Sequence, residues 1–136
     1  MEYDIDTRQW TDWPSLNIPV GGRRRHKCAV LGDNVIIVGG QDQYHEDPSE
    51  DLAHTAILHI PTKTIRNGGA MSTRRSSLGL GIVDGKLLAF GGYNRYLSYY
   101  YLDTIEEWNE QSETWTLRQE KLNFGKDFFG FTNSKC

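Results

Sequence analysis

No run in this sequence approaches the roughly 18 consecutive apolar residues of a membrane-spanning helix. The N-terminus, MEYDIDTRQW, has neither the basic region nor the apolar stretch of a secretory signal. Cysteine is scarce. Cys28 and Cys136 are the two in the chain, and so few point to a reducing, cytoplasmic setting rather than a disulfide scaffold. No Asn-x-Ser/Thr glycosylation acceptor occurs. Charge of one sign is not in excess: the formal net charge is −3, which implies neither nucleic acid nor a membrane surface as partner. Helical periodicity is missing too. No stretch of about ten residues carries apolar positions at helical spacing without an intervening Gly or Pro. At 136 residues the chain reads as one domain. Aromatics reach 12%, and such a supply of Tyr and Trp suits short strands with amphipathic faces.

What is present is a repeat. The run KLLAFGG at 86–92 has a counterpart in VIIVGG at 35–40, with Gly39–Gly40 and Gly91–Gly92 separated by 52 residues. Each apolar run reads as a buried strand. Each glycine pair ends it, permits φ > 0, and lets another backbone come close where a Cβ would clash. Aligned on the glycines, RSSLGLGIVDGKLLAFGG falls on the segment beginning at Arg23, so Arg75 matches Arg23 and Leu80 matches Cys28. A hairpin is predicted before each doublet, its turn moving by one residue from Asp33-Asn34 to Asp84-Gly85. KDFFGF, from Lys126, is a third copy of the opening strand. A second signal runs alongside. Tyr3 and Trp10 are seven apart, as are Trp108 and Trp115 and, more weakly, Leu58 and Ile65. Thr7, Thr62 and Ser112 hold one position in the three intervening turns, where a hydroxyl can bond its own backbone.

Each unit is four short strands in about 50–55 residues, the period of a kelch-type propeller blade. The glycine doublets, the seven-spaced aromatics and the basic residue before each first strand (Arg23, Arg75, Lys126) resemble the kelch repeat family over nearly the whole chain. Leu58 and Ile65, standing where the family has Tyr and Trp, depart from it but keep apolar volume. The expected fold is all-β, about eleven strands: a partial kelch-type β-propeller of about two complete four-stranded blades plus flanking strands. The expected divisions are 1–22, the end of a preceding blade with its connecting loop; 23–74 and 75–125, one repeat each; and 126–136, the first strand of the next blade. Because a blade buries its faces only against neighbours, the rest of a propeller or a self-associating copy is expected to cover the open faces.

Catalytic patterns are weak. The glycines give neither GxGxxG nor GKS/T, and there is no GxSxG. His45 and His54 sit among carboxylates, but their spacing matches no zinc pattern. Cys28 lies at a repeat position and reads as core packing. No cofactor and no metal are implied. RRSS at 74–77 has the look of a basophilic kinase site, although the repeat itself calls for Arg75 there.

The loops remain. In this fold the loop entering each first strand and the loop after each doublet share one rim. The former carry Arg23, Arg24, Arg25, Arg74 and Arg75; the latter carry Tyr44, Asn94, Arg95 and Tyr96. Arginine beside tyrosine suits gripping carboxylates and peptide backbone, whereas Arg23 and Arg75 can equally brace neighbouring loops. The resemblance implies a non-enzymatic protein-binding module. Its partner would be a protein, presenting an acidic or phosphorylated peptide, and its role substrate recognition in a ubiquitin-ligase adaptor or actin binding. The competing class is an enzyme on a kelch scaffold, such as a sugar or alcohol oxidase.

Overall fold

The structure, a computed structural model, describes residues 2–12, 22–42 and 50–127. Among them are twelve strands and no helix. β1 (Glu2–Asp4) and β2 (Gln9–Thr11) form a hairpin. Two antiparallel four-stranded sheets follow. The first contains β4 (Lys27–Leu31), β5 (Asn34–Val38), β7 (Thr55–His59) and β8 (Thr64–Gly68), paired in chain order. The second contains β9 (Gly79–Val83), β10 (Lys86–Phe90), β11 (Thr104–Asn109) and β12 (Thr114–Lys121), again in chain order. The short strands β3 (Arg23–Arg24) and β6 (Gln41–Asp42) pair separately, beside the first sheet's doublet. Two successive sheets with the same meander, β4 lying against β9, are two blades of a propeller.

The seven-spaced pairs are direct cross-strand partners in all three places: Tyr3 with Trp10, Leu58 with Ile65, and Trp108 with Trp115. The turns between them share one backbone conformation. Arg8, Lys63 and Glu113, each two residues before the second partner, have φ of 55°, 54° and 52°. The hydroxyls act differently from the expectation. Asp4 Oδ1 accepts from the backbone of Asp6 and Thr7, and Asn109 Oδ1 does so from Gln111 and Ser112. The Thr62 and Ser112 hydroxyls instead bond those of Thr64 and Thr114. An Asx side chain therefore sets two of the turns.

The hairpin turns coincide. Leu31 pairs with Asn34 and Val83 with Lys86, leaving Gly32–Asp33 and Asp84–Gly85 as the two-residue turns. The expected one-residue shift is corrected: Asn34 belongs to the strand.

The core lies between the blades. Ile36, Val38 and Ile57 of the first sheet meet Leu80, Leu87, Ala89 and Trp108 of the second, with Met71 and Leu78 from the connecting loop. Side chains alternate across a strand, so Ala29 and Leu31 join this core while Cys28 and Val30 face the other way. Cys28 is exposed, which corrects its reading as a packing residue. It stands on the face matching that of buried Leu80, but no described element covers it. Trp10, expected to be buried between repeats, is likewise left uncovered by any described element. Its ring lies tilted against Tyr3 with centroids 5.0 Å apart, yet the residue is 66% exposed, whereas Trp108, against Trp115 at 5.1 Å, is buried by the first blade. Trp115 is half-buried and bridges the blades: its indole N–H donates to Thr55 Oγ1 at 2.8 Å.

Candidate rim site

The glycine doublets position the rim. Gly39 and Gly40 have φ of 62° and 100°; Gly91 and Gly92 have 59° and 101°. The values near 100° at Gly40 and Gly92 are ones that only glycine takes cheaply. A Cβ on Gly40 would stand 2.7 Å from the Arg24 carbonyl oxygen, and one on Gly92 would stand 2.9 Å from that of Ser76. The second glycine of each doublet donates its N–H to the basic position of the next repeat, Gly40 to Arg75 O at 2.8 Å and Gly92 to Lys126 O at 2.7 Å. The loop behind each doublet is thus stitched to the start of the following blade.

The basic position itself turns inward. Arg75 is 0% exposed. Its guanidinium donates to the carbonyls of Gly91 and Thr104, to Thr104 Oγ1, and to Glu106 Oε1 at 2.8 Å. Glu106, also buried, accepts in addition from the backbone of Ser72 and Thr73. Burial lowers the Arg75 pKa, against the raising effect of the Glu106 hydrogen bond and charge. Arg23 makes the matching reach, to the carbonyls of Gly39 and His54, and donates to His54 Nδ1 at 2.7 Å. Because arginine only donates, His54 carries its proton on Nε2 and gives it to Asn67 Oδ1. Burial pushes the His54 pKa down; the bond to Asn67 raises it and the charge of Arg23 lowers it further. Arg23 and Arg75 are braces, so the expectation that Arg75 belongs to the binding surface is corrected. Asn94 is corrected too: it is buried, and its Oδ1 caps the loop by accepting from Tyr96 N. Ser76 and Ser77 are buried, which removes RRSS as an accessible kinase site in the folded chain.

Arg24, Arg25, Arg74, Arg95 and Tyr96 keep a place on the surface, while Tyr44 lies outside the described residues. Two of them face acidic side chains. Arg74 donates to Glu50 Oε2 at 2.9 Å and sits over the Tyr96 ring. Arg95 donates its backbone N–H to Asp51 Oδ2 at 2.9 Å, its side-chain Nε being 3.9 Å from the same oxygen. Glu50 and Asp51 thus face the arginines of the second blade.

Arg25 and Arg95 come together across the blade boundary, lining a cavity of about 260 Å3. Tyr93 and Tyr101 form its aromatic wall, edge to face at 6.0 Å, and Gln41, Ser77 and Asp127 complete it. Sequence reasoning missed Gln41 and Asp51. The available signal was positional: Gln41 directly follows its doublet, as Tyr93 follows the next. Among the described residues no group of three His, Cys, Asp or Glu side chains is placed to hold a metal ion, and none forms a helix long and apolar enough to cross a membrane.

Comparison with known proteins agrees with this geometry. Residues 74–120 match the Kelch motif. Human "Kelch-like protein 33" is 33% identical over 112 residues, covering 82% of this chain and 20% of that protein. The "N-(sulfonatooxy)prop-2-enimidothioate sulfolyase" of Thlaspi arvense is 34% identical over 91 residues, covering 63% and 26%. The chain therefore spans a fifth to a quarter of the curated relatives it matches. The solved structure of YjhT superposes with a TM-score of 0.70 at 13% identity, over 85% of this chain and 44% of that one, which is a likeness of fold. The chain is built of kelch repeats and forms part of a kelch β-propeller.

Proposed function

We propose that this propeller segment is a protein-recognition module whose rim grips an acidic or phosphorylated peptide. The observation that supports it is the meeting of Arg25 and Arg95, from successive blades, in one cavity walled by Tyr93 and Tyr101. A guanidinium forks onto a carboxylate or phosphate with two parallel bonds, and adjacent rings keep water from the pair. Arg24 and Tyr96, next in sequence to Arg25 and Arg95, extend this surface. The relation to Kelch-like protein 33 accords with substrate recognition in a cytoplasmic ubiquitin-ligase adaptor.

The test is an array of acetylated nonapeptides, acidic and phosphorylated, screened with the full chain. The best binder is then titrated by fluorescence polarisation at low and moderate salt. Arg25→Ala combined with Arg95→Ala is expected to weaken binding by about one to three orders of magnitude, from roughly 1.5–3 kcal/mol per charged hydrogen bond. A double variant that binds like wild type at both salt concentrations overturns the proposal.

A further inference from the structure

A buried amide lines the rim cavity beside its two arginines. Gln41 is 1% exposed and lines the cavity. Its amide is oriented by Asp51, whose Oδ1 accepts from Gln41 Nε2 at 3.0 Å. Asp51 is itself fully buried, and its other oxygen holds the backbone of Arg95. One carboxylate from the first blade's loop therefore sets the rotamer of Gln41 and ties down the second blade's loop. With Nε2 committed to Asp51, the remaining polar atom is Gln41 Oε1, which is buried and has no hydrogen-bond partner. A buried acceptor left unmatched disfavours the empty state, and a ligand donor that reaches it recovers the lost bond.

We infer that Gln41 is a specificity residue, with its amide oxygen set to accept a backbone N–H of the bound peptide while Arg25 and Arg95 hold the neighbouring acidic side chain. The inference rests on the peptide-binding reading and narrows it. The ligand carries a donor and an anion side by side, as an acidic residue within a peptide bond does. Inorganic phosphate at neutral pH and an isolated carboxylate bring the anion without the N–H. Asp127, a second acceptor on the cavity wall, favours the same kind of ligand: it repels a bare anion and tolerates one accompanied by donors.

The experiment uses the best-binding acidic peptide from the nonapeptide array and a set of analogues in which each backbone amide is replaced in turn by an ester. The ester keeps the shape and the side chains but removes one N–H. On the wild-type full chain, one ester position is expected to weaken binding about tenfold or more. On Gln41→Met, whose melting midpoint is measured alongside, the same ester should make little further difference. Inorganic phosphate should fail to compete at concentrations where the peptide saturates. A flat ester scan on the wild-type chain overturns the role of Gln41, whatever the folding of the variant, and so does an ester loss of equal size in both proteins. The failures separate: if Arg25→Ala with Arg95→Ala abolishes binding while the ester scan is flat, the rim reading stands and the Gln41 inference falls. An array with no binder overturns both.

Discussion

Arg75 and Glu106 meet at 2.8 Å with neither side chain exposed to water, and together they lock the connecting loop of one blade onto the third strand of the next. Removing one partner of a buried pair strands the other charge, which typically costs about 3–5 kcal/mol. Arg75→Ala and Glu106→Ala should each destabilise by roughly that amount, and the double variant by clearly less than their sum. Denaturant melts of the three variants check this; additive losses would mean that the two groups act separately.

Glycine at the doublet is required by geometry as well as by φ. Gly39→Ala would press its Cβ into the Arg75 carbonyl oxygen, whereas Gly32, also at positive φ, has nothing within 4 Å of such an atom. Gly32→Ala should cost about 1–2 kcal/mol from φ strain alone. Gly39→Ala should cost more than about 3 kcal/mol, strain plus clash. Equal midpoint shifts would remove the close-approach argument.

Trp115 should stabilise the blade interface through its N–H. Trp115→Phe leaves the buried Thr55 hydroxyl without its donor, at a cost of about 1–3 kcal/mol. Thr55→Val in the Phe background should recover part of the loss, because no polar group is then left unmatched. No recovery would assign the loss to ring volume.

The tryptophans should also differ in emission. A chain retaining Trp108 alone should fluoresce well to the blue of one retaining Trp10 alone, since the first is buried and the second exposed. Coincident spectra would contradict the packing of the two hairpins.

Stability should fall in mild acid through His54. Its pKa is lowered in the folded chain, by burial first and by the Arg23 charge, so the unfolded chain binds the proton more readily. The contribution is therefore fully present above the unfolded value of about 6.5 and is lost as pH drops through the lower folded value. His26 is shifted the same way, by burial and by Arg23, and adds to the slope. Urea midpoints at pH 7.5 and 5.5 should separate more for wild type than for His54→Gln. Identical separations would show that the Arg23–His54 contact is not felt.

Much of this architecture is written locally. The apolar runs, the doublets that end them and the seven-spaced aromatics are short-range patterns, and each is imposed by backbone geometry within a few residues. Strand pairing, the shared turn conformation at Arg8, Lys63 and Glu113, and the positive φ of both doublets follow from them. What sequence pattern does not carry is the partner of a side chain. Arg75 and Arg95 are alike as letters. One is buried because Glu106, 31 residues onward, supplies a carboxylate at the matching height of the sheet; the other lines the rim cavity because Asp51, 44 residues earlier, holds its backbone. In the first blade Ala56 stands at the height of Glu106, and Arg23 turns to His54 instead. Exposure is equally a tertiary property. Cys28 and Leu80 occupy one repeat position, but only Leu80 has a packed sheet in front of it. Local chemistry chose the strands and turns, while the charge partners and the cavity at Arg25, Gln41 and Arg95 exist only because neighbouring blades bring distant loops within hydrogen-bond reach.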